Sequence, residues 1–228
     1  LPDKLEVSVI PERANPLDTL VARDNKILKE LPCGASLGTG SLRRKSQLLA
    51  YRSDLNIIPI RGNIGTRIEK IKEMNLDGII LAAAGLERLG WKDKITEYID
   101  PSICLPAPRQ GAIAIETRKE KDSNEYDWII NNILKRIEDR DTADAVKAEH
   151  ALLQTLEGVC HAPVGGYGQV EGDKLNLTGI VAREDGSKVI RECICGDREQ
   201  AKDLGVKMAH KLLSLGADQI LDNLRGGN

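Results

Sequence analysis

A chain of 228 residues is long enough for one large domain or two small ones with real cores. Charged residues make up 30% but cancel to a formal net charge of −2, which argues against a global basic field that would recruit nucleic acid. Aromatic residues are 3% with no phenylalanine, so base-stacking surfaces are disfavoured, and no apolar run approaches a membrane span. Five scattered cysteines are not a disulfide framework. Cys33, Cys104, Cys193 and Cys195 read as small buried hydrophobes, and a reducing cytoplasm fits them. With three histidines at 150, 161 and 210, no metal site is expected. Residues 1–7 do not form a secretion signal and lack an initiator methionine, so the chain is expected to be processed, trimmed or a fragment.

From about residue 35 to 115 strand and helix patterns alternate. A strand is predicted over 35–38, and Ser41 caps a helix running from Leu42. Residues 56–60 form the next strand. Asn63 then caps a helix with Ile64, Ile68 and Ile71 on one face. Residues 77–83 are apolar throughout, as in a parallel strand covered on both sides, and a short helix opens near Gly85. Residues 112–116 close the series. Repeated strand–helix units predict a mainly parallel sheet with helix N-termini along one edge. Beyond residue 122 the character changes. Helices are predicted over 124–134 and 142–156, separated by a charged linker at 138–141. An antiparallel meander follows over 164–170, 174–182 and 188–195, and a helix over 197–215 ends the chain.

Arginines gather where the strand edges fall. Arg43 and Arg44 lie in the first turn of one helix, Arg61 follows a strand, Arg67 sits one turn into the next helix, and Arg88 follows the third strand. Open α/β sheets bind ligands at that edge, and helix N-termini there favour anions. A planar guanidinium holds a carboxylate through two hydrogen bonds, so five of them suit a polycarboxylate. Any one alone reads as a solvated surface residue; the clustering makes the case. Thr39 and Ser41 add hydroxyls. A phosphate site is the competing reading of that turn, but no glycine-rich nucleotide motif opens these helices. Cys160 stands in a turn between Gly158 and Pro163. Position alone leaves it open between a reactive and a structural thiol, and a nucleophile there would need nearby cations. His161 reads as a surface or packing residue.

Four motifs in order resemble the porphobilinogen deaminase (hydroxymethylbilane synthase) family: Gly38-Thr39-Gly40-Ser41-Leu42-Arg43-Arg44, Arg61-Gly62-Asn63-Ile64-Gly65-Thr66-Arg67, Leu81-Ala82-Ala83-Ala84-Gly85-Leu86-Glu87-Arg88-Leu89-Gly90, and Leu156-Glu157-Gly158-Val159-Cys160 through Pro163-Val164-Gly165. The resemblance covers essentially the whole chain. It implies head-to-tail joining of four porphobilinogen units into hydroxymethylbilane, with one ammonia lost per unit, on a dipyrromethane cofactor. Cys160 matches the cysteine that holds this cofactor through a thioether. Thr39, Ser41, Arg43, Arg44 and Gln110 match residues around it, and Arg61, Arg67 and Arg88 match those that bind the substrate and the growing polypyrrole chain. The implied protein is a cytoplasmic monomer without nucleic-acid or membrane partners.

The fold implied is a periplasmic-binding-protein-like α/β domain over 16–106, then a small three-stranded α+β domain over 137–228 bearing the cysteine. Residues 1–15 and 107–136 match remnants of a first α/β domain. Roughly 90 residues of that domain, a good part of one, are expected ahead of Leu1. They include a His-Ser-x-Lys-Asp motif whose aspartate stabilises charge on the pyrrole nitrogen. No aspartate here matches it, so the isolated chain is expected to be inactive. Two further departures stand out: Val159 replaces a family glycine beside the thiol, and Arg109 replaces one in Pro108-Arg109-Gln110-Gly111-Ala112. The alternative function is a non-catalytic polycarboxylate-binding module of the same fold.

Overall fold

Three sheets organise the residues described by the computed structural model, 2–119, 124–156 and 162–225. Strands β1 (Leu5–Val9) and β7 (Ile115–Arg118) pair antiparallel as a two-stranded layer. A five-stranded sheet contains β2 (Asp18–Ala22), β3 (Ser36–Gly38), β4 (Asn56–Ile58), β5 (Gly78–Ala82) and β6 (Glu97–Tyr98), in the order β4-β3-β5-β2-β6. The third sheet is the meander β8 (Val164–Glu171), β9 (Lys174–Ala182) and β10 (Val189–Asp197).

Four of the five strands run the same way, so the sheet is mainly parallel as expected, with β2 the one reversed strand. β3 runs parallel to β4 and β5, whereas β2 runs antiparallel to both β5 and β6. All five residues of β2 are buried, so its sequence has no alternation to mark it, and strand direction leaves no local signal. Nor does the segment after residue 111 close this sheet. Positive φ at Arg109 (68°) and Gly111 (86°) turns the chain back to pair with β1 instead.

Helices α1 (Leu42–Tyr51), α2 (Ile64–Glu73) and α3 (Ala83–Arg88) follow β3, β4 and β5. Ser41 accepts from the Arg44 amide at 3.4 Å and Asn63 from the Thr66 amide at 2.9 Å, so both helices start at side-chain caps. Consecutive residues of β5 face opposite layers. Ile80 packs with Leu20, Leu37 and Leu48, while Ile79 and Leu81 pack with Ile60, Ile71 and Leu86. Each such side chain taken fully from water contributes on the order of 1.5–3 kcal/mol, which fixes the sheet that carries the arginine edge.

α4 (Glu125–Leu134) lies against the β1–β7 layer, capped by Asn124. Its Tyr126, Trp128, Ile129, Ile130 and Ile133 are exposed. α5 (Arg140–Thr155) starts inside the stretch expected to be a linker, because Asp139 caps it by accepting from Thr142 at 2.7 Å. α5 packs with α6 (Ala201–Leu212) against the meander, and α7 (Asp218–Arg225) follows a kink at Gly216. The β9–β10 turn rests on α1. A Cβ on Gly186 would come within 2.6 Å of the Ala50 nitrogen, and Lys45 pairs with Glu184 at 2.7 Å.

The cysteines need a correction. Cys104 is buried, but Cys33, Cys193 and Cys195 are exposed. β10 is an edge strand whose inward register carries Ile190 and Ile194, which leaves Cys193 and Cys195 on the solvent register; Cys33 lies in the turn before β3.

Candidate functional site

Because β3, β4 and β5 are parallel, their C-terminal ends share one edge, and the starts of α1, α2 and α3 gather there. Thr39 leaves β3 almost fully buried and its Oγ1 accepts from the Ser41 amide at 3.2 Å. Arg43 and Arg44 point inward, with 5% and 8% of their surface exposed. Both converge on Asp18 at the start of β2, which is fully buried. Its Oδ2 accepts from Arg43 Nη1 at 2.7 Å and from the Cys104 thiol at 3.3 Å. Its Oδ1 accepts from Arg44 Nε at 2.9 Å and from Gln110 Nε2 at 2.9 Å. The remaining arginine donors reach Leu105 O at 2.6 Å, Ile80 O at 3.2 Å and Gln110 Oε1 at 3.3 Å.

Burial by itself would push the Asp18 carboxyl up, but the guanidinium groups of Arg43 and Arg44 outweigh it and hold it well below the usual carboxylate range. Burial together with the Asp18 charge pushes the Cys104 thiol up to about 12, so Cys104 stays protonated and donates. Two cations against one carboxylate leave this buried cluster one positive charge in excess, a standing attraction for an anion.

The other three arginines are placed differently. Arg61 is exposed just past β4. Arg67 is half-buried and its Nε donates to Gly62 O at 2.8 Å; Arg88 is exposed at the end of α3 and donates to Gly111 O at 2.9 Å. The latter bond ties the edge to the 105–114 segment, from which Gln110 also reaches Pro16 O at 2.6 Å. The five arginines thus form two sets: a buried pair with its own carboxylate, and a more accessible trio, two of which, Arg67 and Arg88, donate to backbone carbonyls.

Cys160 and His161 lie outside the described residues. On either side of them, Leu156 is buried at the end of α5, and Pro163 O accepts from the Ala182 amide at 3.1 Å at the start of the meander. From β8, the Gly166 amide donates to Pro106 O at 2.9 Å, which brings the meander against the same 105–114 segment.

Neither the buried Asp18 nor the buried ion pair of Arg13 with Glu149, at 2.6 Å, carries a local sequence motif. The one sequence signal is Glu149 itself, a carboxylate on the apolar side of α5 between Ala145, Ala148 and Leu152. Arg109 also shows its cost. It takes a left-handed φ of 68°, a conformation that favours glycine, and Nη1 lies 3.3 Å from His150 Nδ1. Arg109→Gly is expected to raise stability by up to about 1 kcal/mol in urea unfolding, since the strain exceeds what a single exposed contact returns.

Comparison with known proteins now decides the family. Residues 1–126 match the model described as porphobilinogen deaminase, dipyromethane cofactor binding domain, and residues 143–214 match that described as porphobilinogen deaminase, C-terminal domain. The chain belongs to the porphobilinogen deaminase family. The porphobilinogen deaminase of Alkaliphilus metalliredigens is 44% identical over 227 residues, covering 100% of this chain and 70% of its own length. That of Desulforamulus reducens is 45% identical over 227 residues, covering 100% and 72%. That of Pelotomaculum thermopropionicum is 46% identical over 225 residues, covering 99% and 70%. A solved YaeC-family lipoprotein from Enterococcus faecalis aligns at 17% identity with a TM-score of 0.35 over 68% of each chain, too distant to carry an argument.

The donor set fits a dipyrromethane of the porphobilinogen deaminase family. The buried pair has one positive charge in excess, the accessible trio lies on the same edge, and each pyrrole would bring carboxylates. Among the described residues no cluster of three histidine, cysteine or acidic side chains could hold a metal, and no helix is long and apolar enough to cross a membrane.

Proposed function

We propose that this chain serves the reaction of porphobilinogen deaminases: stepwise condensation of four porphobilinogen units into hydroxymethylbilane, with release of ammonia, in tetrapyrrole biosynthesis. The observation that carries the reading is the arginine edge, two buried and three more accessible guanidinium groups around the ends of β3, β4 and β5, in a chain matched end to end by deaminases. Cys160 holds the cofactor. Its sulfur forms a bond to a pyrrole methylene carbon as the carbon–nitrogen bond breaks, and the thiol proton leaves with the amine as ammonia. When bound, dipyrromethane supplies the pyrrole terminus to which substrate is joined.

Thr39, Ser41, Arg43, Arg44 and Gln110 line the cofactor side; Arg61, Arg67 and Arg88 hold substrate and chain carboxylates. The arginines neutralise the polyanion as it leaves water, a step that close hydrogen-bonded cations make affordable. We assign residues 16–106 and 137–228 to two domains, and 1–15 with 107–136 to a third. The exposed apolar face of α4 supports the last assignment, since about three-tenths of the relatives' own length lies outside the match and is available to cover it. A cytoplasmic monomer goes with this reading.

Intact mass tests it. After incubation with porphobilinogen, alone or with the leading segment of the Alkaliphilus relative, the wild type should gain the mass of two linked pyrroles, and Cys160→Ala should not. Unmodified wild-type protein under both conditions, binding porphobilinogen reversibly, would instead identify a binding module.

A further inference from the structure

Cys193 and Cys195 serve neither a core nor the proposed chemistry. Both are free and exposed. They lie on β10, the edge strand of the meander, whose register with β9 runs unbroken from Val189 to Asp197. Residues two apart on a strand face the same way. Ile190 is buried in the core and Ile194 packs against it, so the two thiols stand side by side on the opposite face. Their neighbours across the sheet are neutral. Cys193 pairs with Thr178 and Cys195 with Asn176, and beyond these lie Tyr167 and Gln169 on β8.

Two thiols so placed can join each other or share a third atom. Cα atoms two residues apart on a strand are about 6.8 Å apart. That is the upper limit of the roughly 4.4–6.8 Å that disulfides span, so closing one would buckle a strand held in continuous register. A bridging atom removes the conflict. With two thiolate–metal bonds of about 2.3 Å each, the sulfurs need approach only to about 4.6 Å, which side-chain rotation supplies with the backbone in place.

We propose that Cys193 and Cys195 form a two-coordinate site for a soft, thiophilic monovalent cation of the Cu(I) class. Thiolates select soft cations over hard ones. Among the described residues no third histidine, cysteine or acidic side chain completes a cluster, which leaves tetrahedral Zn(II) short of ligands and offers Ca(II) or Mg(II) no oxygen cage. On binding, two S–H bonds break, two S–Cu bonds form and two protons pass to solvent. The metal keeps its oxidation state, so no oxidant or reductant takes part. The site is separate from the arginine edge and does not rest on the deaminase reading.

The test uses the full chain, reduced and held under nitrogen. Cu(I) is added from its acetonitrile complex in competition with the chromophoric chelator bicinchoninate, and native mass spectrometry counts metal per chain. Wild type, Cys33→Ser and Cys160→Ala should each take one Cu(I) with the same affinity. Cys193→Ser and Cys195→Ser should each bind at least about 100-fold more weakly, because each loses a second donor held at high effective concentration. Zn(II) offered alone should leave the chain metal-free.

Unchanged affinity in either serine variant, one copper shared between two chains, or Zn(II) bound as tightly as Cu(I) would overturn the site. Both cysteines are exposed, so the serine variants should keep the wild-type urea midpoint. A readout on the wild type alone guards against a variant that fails to fold. Bound Cu(I) should protect Cys193 and Cys195, but not exposed Cys33, from iodoacetamide, as read by peptide mass. Alkylation of the pair at the metal-free rate sinks the proposal whatever the variants do. Pyrrole mass gain, or its absence, bears on the deaminase reading alone.

Discussion

Asp18→Asn is expected to lose about 3–5 kcal/mol of folding stability, the cost of removing one partner from a buried ion cluster. Asp18 is fully buried between two nearly buried guanidinium groups, so the variant leaves both cations without their countercharge. Asparagine keeps the shape but worsens the pairing. Arg43, Arg44, Gln110 and Cys104 all donate to the carboxylate, and an amide turns one acceptor oxygen into a fifth donor. The pH dependence follows from the same group. Its folded-state pKa is depressed, so its stabilisation is complete above the unfolded value, about 4, and is lost as the pH falls below that toward the folded value. Urea midpoints measured from pH 7 down to pH 3 should decline for the wild type below about pH 4 and decline less for the variant. A variant within about 1 kcal/mol of wild type at pH 7 would show that the arginine pair does not depend on this carboxylate.

What could be read from the sequence divides along physical lines. Local chemistry was legible. Ser41 and Asn63 each cap a helix where their side chains and the periodicity behind them place one, the helix expected over 124–134 begins with Asn124 as its cap, and the meander turns at 172 and 186 fall on glycines with positive φ. Long-range pairing was not. β2 is buried at all five positions and could run in either direction, so its antiparallel place beside β5 depends on the whole sheet. The same limit hid the second half of the site. Arg43 and Arg44 announce cations on a helix N-terminus, but the carboxylate that engages them is 25 residues from Arg43 in sequence. The partner of Glu149 is 136 residues away. Family motifs named the side chains without saying that two of the five arginines are buried with a resident counterion.

That division predicts opposite behaviour for the two arginine sets. Replacing Arg61, Arg67 and Arg88 together by glutamine should leave the unfolding midpoint essentially where it was. Arg61 and Arg88 are exposed, and Arg67 and Arg88 are held by backbone carbonyls of Gly62 and Gly111 rather than by buried carboxylates. Ligand binding should suffer instead. A charge-assisted hydrogen bond to a carboxylate is worth more than a neutral one, so even partial loss across three arginines should weaken porphobilinogen binding at least about tenfold. Calorimetric titration at low and high salt adds a second signature. Wild-type affinity should fall as salt screens the accessible trio, and the triple variant should show a flatter dependence because the charges that salt screens are already gone. Unchanged affinity would remove the trio from the site. A drop in stability comparable to that of Asp18→Asn would mean that the accessible arginines serve the fold, leaving the buried pair with its one excess positive charge as the anion site of this edge.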